Sequence, residues 1–233
     1  MKKIPLLIFF VIALFSLTNH IFAQSKKTVP AKVQAPPADA SRNNSQANFL
    51  GAFEGGTYKN KFFGVKITVP ESWLIQENAA NQAIKQAGAD AVKGKNEQTE
   101  KALDAAVQRL VLLFTASKDI LGMDNNAALI FWAEKTSALV QVRNGEDYMR
   151  LTVQSFKKVE MPPDFKYSET INSEKLGNEI FYSVDIQRNG YKQRFYATAR
   201  KGYALFFTLI YISDKDLETM KEALRNSDFA WKE

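Results

Sequence analysis

Apolar and polar positions follow one another most regularly between Glu179 and Ile212. One β-rich run ends near Gln187, turns at Asn189-Gly190 and returns from Tyr191 to Ala199. A second turn at Lys201-Gly202 leads into Tyr203-Ala-Leu-Phe-Phe-Thr-Leu-Ile-Tyr-Ile. Asn-Gly between two such runs predicts a type I′ hairpin, because that turn needs positive φ at both central residues. The expected register sets Asp185 opposite Arg194, Val184 opposite Phe195 and Tyr182 opposite Ala197; a slip of one residue would exchange the two faces. A two-residue turn at Lys201-Gly202 then sets Tyr196 opposite Phe207 and Ala197 opposite Phe206. The final run is apolar on both sides, which predicts a central strand covered on both faces. Amphipathic helices elsewhere in the chain are the expected cover.

The same patterning assigns the remaining elements. Phe63, Val65, Ile67 and Val69 alternate with small or polar residues, giving a half-buried strand that Pro70 ends, and Trp73 is expected to close one end of the core. Ala80, Ala83, Ile84, Ala87 and Ala91 lie at helical spacing up to Gly94. Asn96 can cap a second helix with the stripe Ala102, Leu103, Ala106, Val107 and Leu110. Leu110 to Thr115 and Ala127 to Ala133 read as strands around a loop from Asp119 to Asn126. Asn144 caps a helix with Glu146 and Asp147 in its first turn and the stripe Tyr148, Leu151, Thr152, Ser155, Phe156 and Val159, stopped by Pro162-Pro163. Phe165 to Ile171 reads as an edge strand that leads through Lys175-Leu176-Gly177 into the hairpins. The last helix opens at Ser213 with Asp216 three residues on, a carboxylate form of the capping box. Leu217, Met220 and Leu224 lie on one side with Lys221 at its margin, and Phe229 and Trp231 are expected to pack the chain end back.

Residues 1–23 have the form of a secretory signal: Lys2 and Lys3, an apolar run from Ile4 to Leu17, and a cleavage site between Ala23 and Gln24. The run is shorter than the ~20 residues of a membrane span, and an uncleaved anchor in the inner membrane is the alternative. Residues 24–55 are expected to be a disordered Pro/Ala/Lys linker, with Gly51 to Gly56 as a flexible lead-in, and residues 56–233 the folded domain. The chain of 233 residues carries a net charge of +6. Losing Lys2 and Lys3 leaves +4; Lys26, Lys27, Lys32 and Arg42 against Asp39 account for +3 of that, so the domain retains only about +1. The basic character therefore belongs to the N-terminal segments. It allows at most peripheral membrane contact through the tail and argues against nucleic acid as a partner.

There is no cysteine, and the only histidine, His20, lies in the expected signal. Disulfides, thiolate nucleophiles, Ser-His-Asp and Cys-His arrangements and imidazole-ligated zinc are thereby excluded from the mature chain. Gly51-Ala-Phe-Glu-Gly-Gly lacks the Lys-Ser/Thr ending of a phosphate loop. Asp119, Asp124, Asn125 and Asn126 lack calcium-loop spacing and read as turn chemistry. Glu146-Asp147 and Asp214 with Asp216 are explained by helix dipoles before catalysis need be invoked. No catalytic residue, cofactor or metal is therefore expected.

Thr57-Tyr58-Lys-Asn with Phe63-Gly-Val, Val69-Pro-Glu-Ser-Trp73, Glu146-Asp-Tyr148, Lys192-Gln-Arg-Phe-Tyr-Ala-Thr198 and Gly202-Tyr-Ala-Leu205 occur in that order. Together they resemble the PsbP-like (DcrB, LpqN) superfamily from about Gly56 to Trp231. The resemblance implies an α+β fold, an α/β/α sandwich around a mostly antiparallel sheet with helices on both faces. It also implies a scaffold or adaptor more than an enzyme, and brings no catalytic motif. The lipobox cysteine common among envelope relatives is missing here. The expected function is that of an exported, periplasmic or secreted, non-enzymatic binding or adaptor protein acting on an unknown envelope protein. The alternative is a small-molecule or glycan carrier with a pocket between the sheet and the Ala80–Leu110 helices, where alanines leave room. Tyr58, Lys192, Arg194 and Tyr196 are the expected interaction surface.

Overall fold

The computed structural model describes residues 49–76, 109–120, 126–136, 142–157, 161, 163–188 and 190–232. The expected signal, most of the expected linker and residues 77–108, which hold nearly all of the expected Ala80–Leu110 helical pair, lie outside them. Three short strands, β1 (Ala52–Glu54), β2 (Thr57–Asn60) and β3 (Val65–Thr68), form one antiparallel sheet. The larger sheet holds β4 (Leu74–Ile75), β5 (Leu110–Ser117), β6 (Ala128–Lys135), β7 (Lys166–Tyr167), β8 (Asn172–Leu176), β9 (Glu179–Arg188), β10 (Tyr191–Arg200) and β11 (Tyr203–Tyr211). Its order is β4-β5-β6-β11-β10-β9-β7, with β8 also paired to β9. Helices α1 (Gly145–Phe156) and α2 (Asp214–Arg225) accompany these strands among the described residues.

The hairpin registers are those that the sequence predicts. Asp185 pairs with Arg194, Val184 with Phe195 and Tyr182 with Ala197; Tyr196 pairs with Phe207 and Ala197 with Phe206. β11 lies between β6 and β10 and is buried from Ala204 to Tyr211. The class is α+β and mostly antiparallel, with a helix on each face. On one face α1 sets Tyr148, Met149, Val153 and Phe156 against Trp132, Val184, Phe195 and Phe206. On the other, α2 shares the cover with the small sheet. Leu217, Met220 and Leu224 join Tyr58, Phe63, Val65 and Ile67 over Phe114, Phe131, Phe181, Phe207 and Leu209. The cover of that face is thus not purely helical.

Both helix starts follow the predicted chemistry. The Asn144 side chain accepts from the Asp147 amide at 2.9 Å, and Ser213 Oγ accepts from the Asp216 amide at 3.1 Å, each satisfying an amide that the helix cannot. Of the predicted stripe of α1, Tyr148, Thr152, Ser155 and Phe156 are buried, and Val159 lies outside the described residues. Met149 and Val153 are buried while Leu151 is only half-buried, and the helix ends at Phe156, well short of Pro163. Its first residue explains the docking: a Cβ on Gly145 would lie 2.2 Å from the Ala197 carbonyl oxygen, so glycine lets the helix start rest on β10 itself.

Three other segments differ from expectation. The supposed lead-in is a hairpin, β1 pairing Ala52 with Lys59, Phe53 with Tyr58 and Glu54 with Thr57, because β2 has a free edge that backbone groups can fill whatever their side chains. The predicted edge strand from Phe165 to Ile171 shrinks to Lys166–Tyr167. Most of the outer edge of β9 is instead taken by Asn172–Leu176, too polar to read as a strand. The chain end folds back as predicted: Phe229 is buried, Lys66 and Asp228 exchange backbone hydrogen bonds of 2.8 and 2.9 Å, and the Trp231 amide donates to the Gly64 carbonyl at 3.0 Å.

Candidate functional site

Of the four residues expected to form one interaction surface, the structure brings three together. Lys192, Arg194 and Tyr196 occupy alternate positions of β10 and so share a face. Arg194 grips Asp185 through Nε at 2.6 Å and Nη2 at 2.9 Å; those hydrogen bonds to the carboxylate raise its pKa further despite partial burial. Lys192 reaches Asp214 at 3.2 Å. Tyr196 is fully buried, and its hydroxyl donates to Glu174 Oε2 at 2.5 Å. Tyr58 stands apart. Strand alternation turns its ring inward from β2 onto Phe53, Phe114 and Phe131, and its hydroxyl donates to the Leu50 carbonyl at 2.6 Å. A residue 1% exposed offers no surface to a partner. Aromatic type alone could not separate Tyr58 and Tyr196 from surface residues.

Glu174 is the hub that ties β8 to β10 and α2. It accepts from Tyr196, and Lys221 Nζ and Arg225 Nη2 each approach at 3.1 Å. Burial disfavours its charge, but these three hydrogen bonds outweigh burial and hold its pKa below the ordinary carboxylate range. A second polar group lies inside the α1 face. Tyr148 donates to Glu134 Oε2 at 2.6 Å, while Arg109 Nε stands 3.7 Å from Oε1, too far for a hydrogen bond. Burial first, and then the facing carboxylate, push the Tyr148 hydroxyl well up. Burial likewise raises Glu134 against the opposing pull of Tyr148 and Arg109.

The carboxylates weighed in the sequence are in local structural roles. Glu146 pairs with Arg150 at 2.5 Å, Asp147 accepts from the Arg143 amide at 3.1 Å, and Asp216 pairs with Lys118 at 3.0 Å. Asn126 Oδ1 accepts from the Asp119 amide and its Nδ2 donates to the Asp119 carbonyl, both at 2.9 Å, as turn chemistry requires. Among the described residues no group of three or more Asp, Glu, His or Cys is placed to hold a metal. None of their helices is long and apolar enough to cross a membrane.

An open cleft of about 520 Å³ lies where the β2–β3 turn, the β10–β11 turn and the chain end meet. The first turn contributes Lys61, Phe63 and Gly64; the second, Arg200 and Lys201; the chain end, Ala230, Trp231 and Lys232. Four of these eight are cations and none is acidic. Each wall is fastened. Asn60 Oδ1 accepts from the Phe63 amide at 2.8 Å, locking the first turn. The Gly202 carbonyl accepts from both the amide and the hydroxyl of Thr136 at 2.9 Å, holding the second. Asn178 bonds the Asp228 carboxylate at 2.8 Å and the Phe229 amide at 2.7 Å, fixing the third. Arg200 crosses the floor, donating to the Phe63 and Phe229 carbonyls and to Glu179. Its lysines lie in two turns and the chain end, far apart in sequence, so no local motif announces the cleft.

No protein-family model matches the chain, and neither does any curated protein. Among solved structures it is similar to the cyanobacterial PsbP (CyanoP) of Synechocystis sp. PCC 6803. That match has 13% identity over 76% of this chain and 95% of the other, with a TM-score of 0.40. It is also similar to the protein of unknown function PA94 from Pseudomonas aeruginosa, at 18% identity over 43% of this chain and 71% of the other, with a TM-score of 0.33.

Proposed function

We propose that this chain is an exported, non-enzymatic binding or adaptor protein of the cell envelope, which meets an acidic group of a protein partner with the cleft between the two turns and the chain end. One observation carries the reading: four cations and no carboxylate line an open cleft whose three walls are each pinned by hydrogen bonds. A pre-formed site with one sign of charge favours a partner of the opposite sign and speeds its encounter. The signal-like start and the basic stretch that follows support export and tethering.

The test is cross-linked capture from the envelope fraction of the chain's own host, with the tagged chain and a K201E/K232E variant side by side. One protein retained by the unmodified chain, released by raised salt and lost with the variant is the expected result. Capture indifferent to the charge reversal, or substrate turnover by the purified chain, would overturn the reading.

A carrier role is the second reading, favoured by the α1 face of the large sheet. The Gln193 amide and the Thr115 and Thr208 hydroxyls are fully buried there, and none has a hydrogen-bond partner. Polar atoms of that kind are what a small hydrogen-bonding ligand between helix and sheet would satisfy. A thermal-shift screen in which a hit disappears in Gln193→Leu would move the assignment to this face.

A further inference from the structure

Lys201 occupies a position where its side-chain chemistry and its backbone conformation disagree. Its φ is +51° and that of Gly202 is +77°, the pair of positive angles that a type I′ turn requires. Among the described residues it is the one residue other than glycine with positive φ. Asn, Asp or Gly would take the same conformation with less steric conflict. The side chain is not trailing in solvent, either. Its ammonium sits 5.3 Å from the centre of the Phe62 ring and donates to the Phe62 carbonyl. A strained residue with an anchored, charged side chain at the mouth of a cleft points to use of that charge.

The other cations indicate which anion would use it. Arg200 has committed its guanidinium to two carbonyls and to Glu179, so its planar fork is not offered to a carboxylate in the bidentate way that arginine favours. Lys61, Lys201 and Lys232 come from three separate segments and are exposed. Compact ammonium charges carried by three segments around one cleft suit the tetrahedral oxygens of a phosphoryl group better than the two coplanar oxygens of a carboxylate. Trp231, half-buried, completes the wall with apolar surface.

We infer that the cleft binds a phosphoryl group carrying an apolar or planar body, the oxyanion held by Lys61, Lys201 and Lys232 and the body laid along Trp231. This rests on the reading above that the cleft is the binding face. The phosphoryl group belongs either to a soluble phosphate ester or to the headgroup of an anionic phospholipid.

The experiment titrates the full chain, at fixed ionic strength, with phenyl phosphate, with benzoate as the carboxylate counterpart, and with vesicles of phosphatidylglycerol or of phosphatidylcholine. The same titrations are run on a K201N/K232Q variant, so that any vesicle binding through the apolar N-terminus appears in both chains and cancels. Saturable phenyl phosphate binding at least tenfold tighter than benzoate, weakened at least tenfold in the variant, is expected. The thermal midpoint of the variant should be unchanged or raised, because Asn relieves the strain at 201. Variant-sensitive binding to phosphatidylglycerol but not phenyl phosphate supports the same chemistry with a lipid source. Benzoate binding as tightly as phenyl phosphate, a variant that binds like the unmodified chain, or no binding to either phosphate source overturns the inference. Protein capture that depends on Lys201 and Lys232 without phosphate binding would sink this inference and leave the adaptor reading standing; phosphate binding with unaltered capture would do the reverse.

Discussion

The two faces of the eight-stranded sheet are built on opposite policies. Toward β1–β3 and α2 the filling is aromatic and dry. Phe131 stacks on Phe207 at 4.3 Å between centroids, Phe181 meets Phe229 edge-on at 4.9 Å, and Tyr58 tilts onto Phe114 at 4.8 Å. The tyrosine hydroxyls at its margin have found acceptors in the Leu50 carbonyl and Glu174. Toward α1 the layer encloses Glu134, Tyr148, Gln193, Thr115 and Thr208, and several of their polar atoms have no partner. Ring packing adds to area burial, whereas an unsatisfied buried polar atom subtracts from it. The first face supplies the stability that the second can spend on polar groups.

Substitutions on each face sharpen that contrast. Phe207→Ala, at the centre of the aromatic layer, should lower unfolding free energy by about 3–5 kcal/mol in a denaturant titration; a loss below 1 kcal/mol would show that this face does not dominate stability. Tyr148→Phe removes the hydroxyl that donates to Glu134 and should cost about 1–3 kcal/mol, since it leaves a buried carboxyl without its donor. The pH dependence comes next. Glu134 binds its proton more tightly in the folded chain than in the unfolded one. Its contribution is therefore fully present below the ordinary carboxyl pKa of about 4.3 and lost as pH climbs through its raised native value. Glu174, whose pKa is lowered, acts in the opposite sense and loses its contribution as pH falls. The difference between the unmodified chain and Glu134→Gln, followed by thermal midpoint from pH 4 upward, isolates the first effect: the unmodified chain should lose ground with rising pH relative to the variant. The smallest change should come from Gln193→Leu, neutral or stabilising by up to about 1 kcal/mol, because an unpartnered buried amide gives way to apolar contact with Ile186 and Ile210. A large loss there would mean that the α1 face needs its amide.

How much of this could be read beforehand depends on how local the cause is. The hairpin registers, the Asn144 and Ser213 caps and the buried alternation from Phe63 to Val69 were legible because each is decided within a dozen residues by turn chemistry or side-chain period. β1 and β8 were not. Ala52–Glu54 and Asn172–Leu176 carry weak strand character and pair because a neighbouring edge has free backbone groups, which only the assembled sheet reveals. The docking of α1 on β10 needs one glycine resting against the Ala197 carbonyl, a contact between residues far apart in sequence. The expected interaction surface failed at Tyr58 and Tyr196 for the same reason: alternation gives the side of a strand but not which layer lies above it. The cleft was the least visible, since its lysines become neighbours only after two distant turns and the chain end converge.

The pairing of Lys66 with Asp228 has a consequence for timing. Synthesis delivers β1, β2 and β3 well before the segment that closes the outer edge of β3. Bringing such partners together closes a loop of about 160 residues, the kind of non-local contact that slows folding. Until that segment is in place, the small sheet keeps an open edge and the cleft lacks one of its three walls. The cleft is therefore complete only once segments about 160 residues apart have met.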